Sequence, residues 1–282
     1  MENVTSRDGT DLACERAGEG PAVVLVGGGA VDRSENAPLV PLLADRFTVV
    51  NYDRRGRGGS GDTPPYARER EIEDLAAVID AAGGRAHVYG ISSGGALALE
   101  AAAAGLAIER VAVYEVPYFV DENAAQGWRD YRRALAEALA EGRRGDAFAL
   151  FMRIAGATDE MVEGARQSPV WPGCEAIAPT LAYDAACIGD GPPPTERLAR
   201  VAVPTLVATG GASPDSFVGG GGSFFDDAAD TIAAACRAPS GRASPARPTR
   251  STPPPSPRSS RGSSPADAPP GHVADGHSPL RA

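Results

Sequence analysis

The sequence predicts an α/β fold: a mostly parallel central sheet with helices on both faces, a helical insert and a disordered C-terminal tail. Three observations carry this. Short apolar runs alternate with helical periods up to about residue 117. Residues 118–200 hold helical patterns and no clear strand. After Cys236 the composition turns to Pro, Ser and Arg, with almost no large apolar side chain. Such a segment cannot bury enough surface to offset its ordering entropy.

The elements run in order along the chain. PAVVLVGGG (Pro21 to Gly29) is a β-rich run ending in glycines, and FTVVNYD (Phe47 to Asp53) is another. APLVPLLADRF between them has a helical period. REREIEDLAAVIDAAGG (Arg68 to Gly84) puts Ile72, Leu75, Ala76, Ile79 and Ala82 on one stripe, and its Gly pair is a stop signal. Then come the strand AHVYGIS, the small-residue helix GGALALEAAAAG and the strand ERVAVYEVP. Short apolar strands separated by helices imply a parallel sheet covered on both faces. Within the insert, YRRALAEALAEG, DAFALFMRIAG and EAIAPTLAYDAACIG read as helices. The strand rhythm resumes at VAVPTLVATGG (Val201 to Gly211), and DDAADTIAAAC (Asp226 to Cys236) is one more helix. The expected division is a core of 1–117 and 201–236, an insert of 118–200 and a tail of 237–282. GGGGS (Gly219 to Ser223) is expected to be flexible.

Composition narrows the partners. Of the 282 residues 43% are hydrophobic and 23% charged, which suits a globular domain. The formal charge of −10 argues against nucleic acid and anionic membranes as partners and leaves a small-molecule substrate. MENVTSRDGT has neither the basic nor the apolar part of a signal peptide, and no apolar run is long enough to span a membrane. A cytoplasmic location is therefore expected. The four cysteines, Cys14, Cys174, Cys187 and Cys236, lack metal-type spacing and read as reduced, buried thiols.

The chemistry concentrates in VYGISSGG (Val88 to Gly95), where a strand runs into G-x-S-x-G and a helix comes next. A serine hydroxyl is a weak nucleophile. It needs a base to take its proton, a carboxylate to orient that base, and donors for the developing oxyanion. Ser92 stands at the centre of the motif, on the strained strand-to-helix turn that exposes such a nucleophile. The Ser93 backbone N–H is then the first oxyanion donor. The glycines ending VLVGGGA supply the second, Gly29 first and Gly28 next to it. A phosphate-loop reading of VGGGA fails, since neither G-x-G-x-x-G nor a G-K-[ST] ending is present. RRGRG (Arg54 to Gly58) could suggest an anion site; a loop packed on the sheet top is the simpler reading.

VVLVGGGA, NYDRRGRGGSGDT, VYGISSGGALALE and VPTLVATGG, in this order and spacing, resemble the α/β-hydrolase fold family over about residues 1–236. The resemblance implies a serine hydrolase, esterase-like and without a cofactor, in which the insert is a cap over the active site. The family often has His-Gly after the first long strand; Gly27-Gly28 stands there here. Its commonest acid site, after the strand VPTLVATGG, falls on Ser213, with Asp215 two residues late. The alternative is Glu115, at the end of ERVAVYE, where certain haloalkane dehalogenases are similar in placing a Glu. Their nucleophile is Asp, so Ser92 argues against dehalogenation. Glu115 is the preferred acid.

The base is the gap in the pattern. The histidines are His87, His272 and His277. His87 precedes Ser92 by five residues on the same strand, roughly 16 Å away at about 3.3 Å per residue, so it reads as structural. The resemblance places the histidine near residues 245–250, where PARPTR stands. Relatives similar to this chain carry a segment like AGQTHEVDP there. A GC-rich codon string for that segment, read one base later, gives PARPTRSTP, the sequence of Pro245 to Pro253. The tail then reads as an out-of-frame C-terminus, and the chain as a hydrolase fold without its base. The rival reading is a genuine disordered tail from which His272 folds back as base.

Overall fold

A computed structural model of the chain describes residues 2–210 and 221–236. The expectations for Ser213, Asp215, His272, His277 and the tail lie outside the described residues.

The order of elements is β1 (Glu2–Thr5), β2 (Asp11–Ala17), β3 (Ala22–Val26), a 3-10 turn (Arg33–Leu39) leading into α1 (Val40–Leu43), β4 (Thr48–Tyr52), α2 (Arg68–Ala81), β5 (Ala86–Ile91), α3 (Ser93–Ala103) and β6 (Ile108–Tyr114). Six helices come next: α4 (Glu122–Ala140), α5 (Arg144–Ile154), α6 (Asp159–Arg166), α7 (Trp171–Ile177), α8 (Leu181–Ile188) and α9 (Thr195–Leu198). The chain then returns to the sheet at β7 (Thr205–Ala208), and α10 (Gly221–Ala235) comes after it. The seven strands lie in the order β1-β2-β4-β3-β5-β6-β7. β1 and β2 pair antiparallel, as do β2 and β4, and every pair from β4 through β3, β5 and β6 to β7 is parallel.

Alternation along β3 shows why this sheet is covered on both faces. Val24 and Val26 join one buried cluster with Leu97 of α3 and Leu75 of α2. Val23 and Leu25 join another with Val49, packed by Leu39, Val40 and Leu43. Each such side chain taken from water contributes about 1.5–3 kcal/mol. Register then fixes the site. Val26 lies beside Gly90, and Ile91 beside Tyr114. The residues just beyond β3, β5 and β6 therefore share the carboxyl edge of the sheet, where open α/β sheets bind their ligands.

The differences from the sequence reading have physical causes. β1 and β2 were not expected: their antiparallel, half-exposed residues (ENVT, DLACERA) give only a weak apolar signal. β7 begins only at Thr205 because Pro204 has no N–H for a ladder. On α2 the buried face is Glu71, Asp74, Leu75, Val78 and Ile79, with Ile72 and Ala76 only partly buried. Two carboxylates rotate into the core because arginines meet them there. α10 starts at Gly221, inside the stretch expected to be flexible. Its Phe224 ring packs 5.3 Å from that of Phe119.

Candidate active site

Ser92 caps the N-terminus of α3 with φ 53° and ψ −123°. Few residues other than glycine adopt a positive φ, and such strain clusters at functional sites. The turn is held by backbone bonds: Ser92 N–H donates to the Tyr114 carbonyl (2.9 Å), and the Ser92 carbonyl accepts from Gly95 (3.0 Å) and Ala96 (3.2 Å). The flanking glycines are sterically required. A Cβ on Gly90 would lie 2.5 Å from the Gly94 carbonyl oxygen. A Cβ on Gly94 would run into the Gly27 carbonyl and lie 2.6 Å from that of Val26. The elbow and the loop after β3 are thus in direct contact. The positive end of the α3 dipole adds to the stabilisation of negative charge there.

The loop Gly27–Ala30 passes beside Ser92, whose Cβ is 3.3 Å from where a Cβ on Gly28 would stand. Gly28 N–H donates to Glu35 (2.7 Å), and Ala30 N–H donates to Asp184 (3.2 Å). The N–H groups of Gly29 and Ser93 meet no acceptor among the described residues. Behind the loop lies a buried ionic cluster. Arg54 pairs with Glu71 through Nε (2.6 Å) and Nη2 (2.8 Å). Its Nη1 reaches Asp184 (2.9 Å), Ser93 Oγ (3.0 Å) and the carbonyls of Gly28 (3.2 Å) and Gly27 (3.3 Å). Arg57 donates to the Gly28 carbonyl (2.6 Å) and to Asp184 (2.8 Å). Ser93 Oγ donates to Asp184 at 2.7 Å. Arg54, Arg57, Glu71, Ser93 and Asp184 are all buried.

Burial alone pushes the Glu71 carboxyl up, but the charge and hydrogen bonds of Arg54 outweigh it and hold the group well below the usual carboxylate range. Burial likewise pushes Glu35 up, and there it prevails over the Gly28 N–H and the charges of Arg57 and Arg54. Asp184 belongs to α8, so the cluster joins the helical insert to the sheet. The stacked rings of Tyr66 and Tyr183, 3.7 Å apart, make a second junction. A cavity of about 300 Å³ opens beside the loop, lined by Ala30, Val31, Asp32, Phe148, Cys174 and Ile177.

Across the strand, Glu115 comes directly after β6 with φ 50°. Its carboxylate accepts the Gly210 N–H at 3.0 Å, and its own N–H donates to the Ala208 carbonyl at 3.0 Å. The residue thus sits between Ser92 and the chain leaving β7. His87, near the start of β5, pairs in register with Val23 and lies 3.7 Å from Glu109, at the opposite end of the strand from Ser92. The structure therefore brings Ser92, Ser93, Gly28, Gly29 and Glu115 to one edge and leaves His87 away from it. Cys14, Cys187 and Cys236 are buried as expected, whereas Cys174 is only partly so.

Arg54, Arg57, Asp184 and Glu35 were not anticipated. For RRGRG, the anions are the protein's own carboxylates rather than a ligand. The signal that marks Asp184 is its place as a lone acid in the apolar run LAYDAACIG, which needs a buried cation. Nothing local names that partner, which is 130 residues away. Among the described residues no helix is long and apolar enough to cross a membrane.

Comparison with known proteins agrees with this fold. The model of the alpha/beta hydrolase family matches residues 23–245. An alpha/beta hydrolase from Sphaerobacter thermophilus is 51% identical, with a TM-score of 0.73 over 84% of this chain and 89% of that one. A thermophilic esterase from Thermogutta terrifontis is 25% identical, with a TM-score of 0.59 over 82% of this chain and 86% of that one. A 3-oxoadipate enol-lactonase of Acinetobacter baylyi is 28% identical over 226 residues, 75% of this chain and 79% of the lactonase. With its sheet order, its G-x-S-x-G turn and this match, the chain belongs to the alpha/beta hydrolase family.

Proposed function

We propose that the chain is a serine hydrolase that cleaves a small or medium apolar ester, lactone or thioester through an acyl-enzyme on Ser92. The observation that carries this reading is Ser92 on its positive-φ turn, beside a loop whose Gly29 N–H is left without an acceptor among the described residues. Ser92 Oγ attacks the carbonyl carbon and passes its proton to a histidine. The N–H groups of Gly29 and Ser93 hold the oxyanion. The alcohol or thiol leaves with that proton, and water then hydrolyses the acyl-enzyme by the same route. Glu115 orients that histidine, which none of the described residues supplies; His272, outside them, is the candidate the sequence offers. Residues 118–200 act as a cap on a core of 1–117 and 201–236. The content of Ala, Leu, Phe and Tyr in residues 118–200 supports an apolar acyl group. The esterase and lactonase relatives support carboxylic ester chemistry. Four free cysteines support a cytoplasmic location.

A second reading has its own observation. His87, the only histidine among the described residues, is on the wrong end of β5. If the tail supplies no base, the chain is a catalytically impaired hydrolase-fold protein that acts as a binding protein or as a non-functional product.

A fluorophosphonate probe separates the two, because it labels a serine only when a base activates it. Labelling of the full chain that disappears in Ser92→Ala is the expected result. Folded protein that takes up no probe would overturn the first reading in favour of the second.

A further inference from the structure

Two arginines and an aspartate buried under a glycine loop are costly to place there. Charges withdrawn from water are repaid only by close pairing, and apolar packing often serves stability as well. This cluster is balanced, Arg54 and Arg57 against Glu71 and Asp184, and its donors also reach backbone carbonyls of the loop. In a trans peptide the C=O of one residue and the N–H of the next point in opposite directions. The Gly28 carbonyl faces Arg57 (2.6 Å) and Arg54 (3.2 Å), so the Gly29 N–H points away from them. The Gly27 carbonyl faces Arg54 in the same way, and the Gly28 N–H on the other side is taken by Glu35. One N–H of the pair is thereby occupied and the other is left to a ligand. The cluster reaches the second donor as well, since the Ser93 side chain bonds both Arg54 and Asp184.

We propose that Arg54, Arg57 and Asp184 are positioning residues that set the oxyanion hole, and that Asp184 makes this setting depend on helix α8 being seated. This rests on the reading of Ser92 as nucleophile and adds a coupling between insert and core. Asp184 binds both sides of the hole at once, the Ala30 N–H at 3.2 Å and Ser93 Oγ at 2.7 Å. When α8 lifts, the arginines lose their shared counter-charge and the loop loses a tether. The hole would then be in place only under a closed insert, where water is excluded.

The test uses the full chain and three variants. Asp184→Asn removes the shared charge. Arg57→Lys keeps a charge but loses the two-pronged grip on the Gly28 carbonyl and Asp184. Asp74→Asn is the control. It opens the buried pair with Arg55 (2.7 Å), which does not touch the loop. Two readouts are taken: kcat and KM on p-nitrophenyl acetate, and amide hydrogen exchange of the peptide spanning residues 27–31. In Asp184→Asn and Arg57→Lys, kcat falls tenfold to a hundredfold, KM changes less than about threefold, and exchange of residues 27–31 accelerates. Asp74→Asn lowers the melting temperature but leaves kcat within about twofold and that exchange unchanged. Unchanged exchange in a folded Asp184→Asn or Arg57→Lys overturns the proposal, as does an equal kcat loss in Asp74→Asn. Should Asp184→Asn fail to fold, Arg57→Lys decides. Should the wild type neither label with fluorophosphonate nor turn over ester, the nucleophile reading fails, while exchange still decides whether these residues set the loop.

Discussion

On the β3 side of Ser92, four backbone groups of the loop are tied to named partners: the Gly27 and Gly28 carbonyls, the Gly28 N–H and the Ala30 N–H. On the β6 side, the Glu115 carboxylate accepts the Gly210 N–H at 3.0 Å and bonds the Tyr114 hydroxyl. The first flank is built from residues buried in the core and from one helix of the insert. The second is built from the ends of β6 and β7. The contrast separates two demands of acyl transfer. Holding an oxyanion needs rigid dipoles, which a buried ionic cluster can fix in place. Moving a proton needs a base within hydrogen-bond reach, which no packing around Ser92 replaces.

Removing the centre tests both flanks together. Ser92→Ala is expected to abolish fluorophosphonate labelling and lower ester hydrolysis by about a thousandfold or more. Activity that survives would show that neither flank serves Ser92. The β6 flank comes next. Glu115→Gln preserves shape but leaves the histidine badly oriented. It is expected to lower kcat by about a hundredfold to ten-thousandfold, with labelling slowed in proportion. Asp215→Asn is expected to leave both unchanged. The reverse outcome would move the acid to the segment after β7.

The join between elbow and loop is tested by Gly94→Ala. The new methyl would meet the carbonyls of Gly27 and Val26, which are backbone and cannot swing aside. Overpacking of this kind costs about 1–3 kcal/mol, so chemical denaturation should register a loss in that range. A neutral result would mean that loop and elbow move apart freely, and that the β3 flank is less rigid than its bonds imply.

What the sequence revealed and what it hid divide along the same line. The parallel strands were legible because burial on both faces gives continuous apolar runs such as AVVLV. The strained strand-to-helix turn at Ser92 was legible because its close contacts demand glycine at Gly90 and Gly94. The β1–β2 pair was not, since one exposed face dilutes its pattern. Glu71 and Asp74 broke the expected stripe of α2 for a reason that lies elsewhere in the chain: Arg54 and Arg55 reach them from the loop after β4. Asp184 shows the general case. A buried acid is visible in an apolar helix, but its partners come from chain topology, and only the fold brings residue 184 to residues 54 and 57.

The smallest effect concerns Glu35, whose carboxylate holds the Gly28 N–H at 2.7 Å. Burial raises its proton affinity. The Gly28 N–H and the charges of Arg57 and Arg54 oppose the rise, Asp184 adds to it, and burial prevails. The folded chain therefore holds this proton more tightly than the unfolded chain does. The stabilisation is fully present below the unfolded carboxylate value of about 4.3, and it is lost as pH rises through the higher folded value. Glu35→Gln keeps an acceptor for the Gly28 N–H and removes the titration. The variant should melt close to the wild type at pH 4 and above it at pH 7, with the gap opening between those values and then levelling off. Melting curves across that range measure it. A gap that stays constant would mean that Glu35 ionises as freely in the fold as in the unfolded chain. The β3 flank would then hold its loop without the strain of a charge confined beside Ser92.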